Sequence, residues 1–180
     1  MVLCAAGYQG PTSILSRGMA QVCERLRRHG GVWTGMTWQP NVTAQGETAA
    51  ALFQSVEQGQ RHLAYMASGY LSLRVPELRV IDLPFAHTHR QNLMGALDGA
   101  AGQVLCEAIE RQSAFRCLGF WDNGQRHISN ALRPLRSPAD VQGMALRTLD
   151  SALYRDSLRA MGFDARTCDV KDLVSWVSQG

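Results

Sequence analysis

Lysine is all but missing from this chain of 180 residues: Lys171 stands alone beside 17 arginines. That balance reflects first a genome that spells its cations as arginine. It also carries chemistry, because a guanidinium grips carboxylate or phosphate in a forked geometry that an ammonium lacks. Excess charge is missing too. Eighteen cations against 15 anions leave a formal +3 over the whole length. Nucleic-acid binding needs clustered charge, so no nucleic-acid partner is expected. The densest basic stretch, Arg25 to His29, closes a helical pattern, where cations suit the helix dipole. No run approaches the ~20 apolar residues of a membrane-spanning helix. Disorder is excluded by a hydrophobic content of 46% with 18% charged residues, enough apolar material for a real core.

Cysteine is present five times, as Cys4, Cys23, Cys106, Cys117 and Cys168. No two form a CxxC pair, which argues against a zinc knuckle or a redox motif. Buried free thiols acting as small hydrophobes are the expectation, and the pattern names no redox compartment. There is no GxSxG elbow, HExxH or P-loop, and the glycines at 119 and 124 lack a dinucleotide fingerprint. No catalytic residue, metal or cofactor is therefore expected.

What is present is an alternation of strand and helix. VLCAAG reads as a first strand. A helix follows from Thr12 or Ser13, with Ile14, Leu15, Met19, Val22 and Leu26 in period, and ends at Gly30-Gly31. Val32 to Val42 is strand-like, and a helix begins near Glu47 and stops at Gly59. HLAYM (62–66) and VIDLPF (80–85) read as strands, and Gln91 to Gln112 as one long helix. Phe115 to Ile128 is a long β pattern broken at Asn123-Gly124. Met144 to Thr148 is a strand, Ser151 to Met161 a helix, and Asp172 to Val177 another. The class is α/β with some parallel strands.

Three groupings are candidates for chemistry. His87 and His89 at period two share a strand face, but a metal needs further ligands, for which Asp82 and Asp98 are only neighbours. Cys117, His127 and Asp122 form a nucleophile-and-base set only on paper. Arg147 stands inside the apolar run MALRT, where a cation must find a partner or face a polar cleft. Its partner is either an internal acid, Asp150 or Asp169, or a ligand carboxylate shared with Arg126.

The residues from Leu118 to Phe163 contain GFWDNGQRHISN, RPLRSPAD, GMALR and RAMG, in that order. Together with SGYLSLRVPELRVIDLPF (68–85) and ALDGAAG (96–102), they resemble the solute-binding proteins of TRAP transporters, the C4-dicarboxylate-receptor type. The resemblance implies a periplasmic-binding-protein-like fold of two α/β lobes, type II-like, with ligand held between the lobes and hinge closure around it. The lobes are expected at 1–118 and, as a crossing strand with an incomplete second lobe, at 119–180. It also implies a periplasmic location, a small carboxylate ligand such as a dicarboxylate, delivery to TRAP membrane subunits, and no enzymatic chemistry. By the same resemblance the carboxylate anchor falls on Arg147. Arg126 and Asn130 of the GQRHISN run, with Ser68 and Tyr70, fall at positions facing the ligand, and the 8–13 loop borders the cleft. Phe85 fits the core better than the apolar wall.

Asp150 replaces a position more often neutral in that family, and 32–50 matches it poorly. The family pattern continues beyond this chain's end and no secretory signal opens it, so a fragment is expected. The alternative functional readings are a truncated remnant that binds nothing and an assembly module that pairs through an unfinished lobe. The oligomeric state is not legible.

Overall fold

Val2–Ala6 forms β1, and both of its edges are taken. In the computed structural model, which describes residues 2–31, 35–87 and 89–178, β2 (Gly35–Gln39) and β3 (Leu63–Ala64) pair with it in parallel, in the order β2-β1-β3. Val2 lies opposite Gly35 and Ala6 opposite Gln39. Parallel neighbours need long crossovers, and α1 (Ile14–His29) and α2 (Ala49–Glu57) supply them. Both helices start on hydroxyl caps: Ser13 Oγ accepts from Ser16 N at 3.0 Å and Thr48 Oγ1 from Ala51 N at 3.0 Å. Each cap satisfies an otherwise orphaned donor and is worth about 1 kcal/mol. Helix α1 buries Leu15, Met19 and Cys23 at four-residue spacing. Ile14, expected on that face, is instead 61% exposed, because it sits at the first helical position and off the buried stripe. The expected strand Val32–Val42 is realised as β2; its residues 32–34 lie outside the described ones.

By contacts the chain divides into two units. One comprises Met1–Ala67, Ser113–Phe115 and Asp169–Gly180; the other comprises Ser68–Gln112 and Arg116–Cys168. The expected lobe boundary at 118/119 falls inside the second unit. In the first unit, Tyr8 packs edge-on to Phe53 at 5.8 Å and beside Tyr65 at 5.3 Å. The Tyr65 hydroxyl accepts from Gln9 N at 3.1 Å and shares a hydrogen bond of 2.9 Å with Ser16 Oγ. The 8–13 loop is thus tied down from below by a buried polar pair.

The second unit begins with two short helices, α3 (Ser68–Leu71) and α4 (Arg79–Asp82). The expected strand at 80–85 is therefore a helical turn. It continues a 3-10 turn at Pro76–Leu78, and it ends because Leu83, before Pro84, is barred from the helical region and adopts φ −61°, ψ 125°. Phe85 follows with φ 61° and 89% exposure, so its expected place in the core is corrected to an exposed turn.

The helix expected over 91–112 is two, α5 (Arg90–Leu97) and α6 (Ala100–Gln112), with a turn at Asp98-Gly99. Gly102 permits that turn, since a Cβ there would lie 1.7 Å from the Leu97 carbonyl oxygen. Beyond α6 the chain runs through 116–137 without a described strand. The long β pattern fails there because a strand needs a neighbour's backbone. The apolar residues of that pattern, Leu118 at 78% and Trp121 at 46%, stay exposed.

The unit closes on β4 (Ala145–Thr148), α7 (Ala152–Ala160) and β5 (Asp164–Thr167), with β4 and β5 parallel and Arg147 opposite Arg166. Val141, Met144 and Phe163 form the local core, with Leu146, Leu158 and Met161 against it. The strand β5 reads DART and shows no apolar alternation, so periodicity does not reveal it. Finally α8 (Leu173–Ser178) belongs to the first unit.

Candidate functional site

Arg147 occupies the third position of β4 and is half-buried. Its Nε and Nη2 both donate to the Cys168 carbonyl oxygen, at 2.9 and 2.6 Å. Two of the five N–H donors of a guanidinium are thereby committed to a neutral acceptor. Among the described residues Arg147 makes no ion pair. The internal partner proposed for it at Asp150 is not engaged with it, and Asp150 is exposed. Its cross-strand neighbour Arg166, on the same face of the parallel pair, is neutralised by Asp164, with Arg166 Nε donating to Asp164 Oδ2 at 2.8 Å. Two like charges side by side on a sheet repel, and only one of them has an acid.

Arg126 comes from the irregular 116–137 stretch and is held by Tyr154 of α7. Its guanidinium carbon lies 4.4 Å from the centre of the Tyr154 ring, and Nη2 donates to the Tyr154 hydroxyl at 3.2 Å. That hydroxyl in turn donates to Asp82 Oδ1, and Ser68 Oγ donates to Asp82 Oδ2 at 2.6 Å. A chain Ser68–Asp82–Tyr154–Arg126 therefore runs through the second unit. Burial, reinforced by the Asp82 carboxylate, pushes the Tyr154 phenol well above its ordinary value, and Arg126 opposes that shift. Gly69 lets α3 reach this network: a Cβ there would lie 2.8 Å from Tyr154 Cε2 and 3.0 Å from Leu149 Cδ1.

The structure thus links Ser68 and Arg126 through two residues that the sequence reading did not assign to the site. Tyr154 reads in sequence as a helix residue facing inward, and Asp82 only as a neighbour of two histidines. The hint that was available is a tyrosine on a buried helix face, whose hydroxyl needs a partner. Tyr70 lies half-buried in α3 beside Ser68. Asn130 is used locally: its Oδ1 accepts from Leu132 N at 2.9 Å and Arg133 N at 3.0 Å, an Asx turn in the exposed stretch.

The segment carrying Arg126 is pinned by Asp122, which accepts from Gly124 N at 2.7 Å and pairs with Arg90. The Gly124 amide, then Arg90, holds the Asp122 carboxyl below its usual range. With Asp122 so occupied, and Cys117 hydrogen-bonded to Cys106 at 2.8 Å, the set of Cys117, His127 and Asp122 has its nucleophile and its acid engaged elsewhere. His87 Nε2 lies 2.9 Å from the Val80 carbonyl. Among the described residues no group of three metal-ligating side chains assembles, and no helix is long and apolar enough to cross a membrane. A separate open depression of about 450 Å³ in the first unit is lined by Glu47, Gln54, Ser55, Gln58 and Arg61. There Arg61 and Glu47 neutralise each other through contacts of 2.6 and 2.8 Å, which leaves no open charge for a ligand.

Comparison with known proteins places these residues in context. Residues 10–175 match the model of the bacterial extracellular solute-binding protein family 7, DctP. A solute-binding protein of Verminephrobacter eiseniae is 27% identical over 127 residues, 71% of this chain and 38% of its own length. The 2,3-diketo-L-gulonate-binding periplasmic protein of Escherichia coli is 28% identical over 119 residues, 63% of this chain and 34% of its own. Among solved structures, a TRAP periplasmic solute-binding protein of Sulfurospirillum deleyianum with bound succinate superposes with a TM-score of 0.91 at 23% identity. It covers 99% of this chain and 57% of that one. The chain spans little more than a third of these two sequence relatives. The α/β fold is that of the TRAP periplasmic solute-binding proteins.

Proposed function

The chain belongs to the bacterial extracellular solute-binding protein family 7, and from that premise we propose that it captures a small organic acid for a TRAP-type transporter, with Arg147 as the carboxylate anchor. The observation that carries this reading is that Arg147, half-buried in β4, pairs with no acid among the described residues while the neighbouring Arg166 does. A half-buried cation without a counter-ion is costly. A ligand carboxylate relieves that cost through bidentate hydrogen bonds. The Cys168 carbonyl fixes the plane of the guanidinium in advance, which lowers the entropy lost on binding.

Arg126 is the second donor in this reading, presented on the Tyr154 ring. Ser68 and Tyr70 of α3 and Asn130 are secondary contacts; Ser68 and Asn130 are at present occupied within the protein. Succinate, bound by one structural neighbour, and 2,3-diketo-L-gulonate, named for one relative, share only a carboxylate, which is what Arg147 would read. The lobe assignment 1–118 and 119–180, a periplasmic location, transfer to membrane subunits and the absence of any catalysed reaction belong to the same proposal.

Calorimetric titration with succinate and with sugar acids tests it. Arg147→Ala should weaken binding of the preferred acid by about 2–5 kcal/mol, the usual loss when one partner of a buried charge pair is removed. Equal affinity in the variant would remove Arg147 from the site.

A further inference from the structure

Cys106 and Cys117 stand apart from the other thiols. Cys106 lies on α6 and Cys117 opens the irregular stretch that carries Asp122 and Arg126. The Cys106 thiol donates to Cys117 Sγ at an S–S separation of 2.8 Å. That is well inside the sum of two sulfur radii and about 0.8 Å beyond a disulfide bond. Both residues are half-buried, within reach of a small oxidant, whereas Cys23 is buried. We propose that Cys106 and Cys117 form a disulfide in the mature protein, clamping the start of the 116–137 stretch to α6.

Three observations support the bond. The contact already brings the sulfurs together, so closure needs only a small side-chain adjustment. Burial, followed by the hydrogen bond and charge of Cys117, pushes the Cys106 thiol well above its ordinary value, so Cys106 holds its proton and turns it toward the Cys117 sulfur, which accepts the hydrogen bond. The family is described as extracellular, and disulfides form and persist in such compartments.

The oxidant is a second disulfide, either a small-molecule one such as oxidised glutathione or that of a thiol–disulfide oxidoreductase. The Cys117 thiolate attacks one of its sulfurs, forming a mixed disulfide and releasing one thiol. Cys106, losing its proton, attacks the Cys117 sulfur and releases the second. Two cysteine thiols are oxidised, one disulfide is reduced to two thiols, and the atoms balance. The bond would also restrict the stretch that presents Arg126, but the proposal stands on the sulfur geometry and not on ligand binding.

Tryptic mapping of the full chain, folded in a glutathione redox buffer and then blocked with N-ethylmaleimide, tests the idea. Cleavage after Arg90, Arg111, Arg116 and Arg126 places Cys106 in peptide 91–111 and Cys117 in peptide 117–126. The expected product is these two peptides joined, lighter than their sum by about 2 Da, with Cys4, Cys23 and Cys168 alkylated. A reductant should lower the melting temperature of the wild type and leave that of a Cys106→Ala/Cys117→Ala double variant unmoved. Alkylation of all five thiols after oxidative folding, or linkage of either peptide to a different cysteine, would overturn the proposal. An equal reductant effect on the double variant would do so as well.

Discussion

At the scale of single residues, the second unit holds carboxylates that the protein itself engages and a half-buried arginine, Arg147, that pairs with none of them among the described residues. Asp82 takes hydrogen bonds from Ser68 and Tyr154, Asp122 from Gly124 and Arg90, and Asp164 from Arg166. Among the described residues Arg147 has the Cys168 carbonyl alone. Tyr154 is the joint between Asp82 and Arg126, so Tyr154→Phe should cost about 1–3 kcal/mol of folding stability by leaving a carboxylate oxygen without its donor. Urea unfolding would measure it. The variant should also change the pH dependence. The folded phenol titrates above its unfolded value of about 10, so its contribution is fully present below that pH and fades as pH rises through the higher folded value. The wild type should therefore lose stability above about pH 10 more steeply than Tyr154→Phe. Parallel alkaline limbs would mean that the hydroxyl is not held as described. Arg147 was legible in sequence as a cation out of pattern in an apolar run, and both Arg147 and Arg126 as positions marked by the family resemblance. Asp82 and Tyr154 were not, because side chains 72 residues apart meet only through tertiary packing.

At the scale of elements, the glycines set how closely helices approach. Gly69→Ala should drive its methyl into Tyr154 and Leu149, costing about 1–3 kcal/mol as an overpacked contact does. A thermal melt would read this, and an unchanged melting temperature would show that α3 does not press on α7. The elements that sequence exposed were those with a local cause: α1 and α2 behind hydroxyl caps, β1 as an apolar run, and β4 as the apolar run before the periodic helix α7. Those it concealed had a cause elsewhere. VIDLPF carries β-branched residues, yet it continues a 3-10 turn as a helical one and is cut off at Leu83 by the restriction before Pro84. The 115–128 pattern alternates as a strand does, but among the described residues no strand pairs with it. The strand β5 lacks alternation and exists because β4 offers an edge. The break between α5 and α6 depends on Gly102, an ordinary residue in a helical pattern until its distance from Leu97 is known.

At the scale of the whole molecule, fold and family were readable from long ordered motifs, and the family match over residues 10–175 agrees with the resemblance carried by GFWDNGQRHISN and GMALR. Which acid is preferred depends on the full set of groups around its non-carboxylate end, and this chain spans 57% of the solved relative with succinate. The central claim is that a small carboxylate binds the folded chain through Arg147. The most direct test is a thermal unfolding series of the full chain with a panel of dicarboxylates and sugar acids, run in parallel on Arg147→Ala. One acid at a hundred times its dissociation constant should stabilise the wild type by about 2.7 kcal/mol and leave the variant's transition in place. A wild-type transition that no acid moves, or a shift of the same size in Arg147→Ala, would contradict the account.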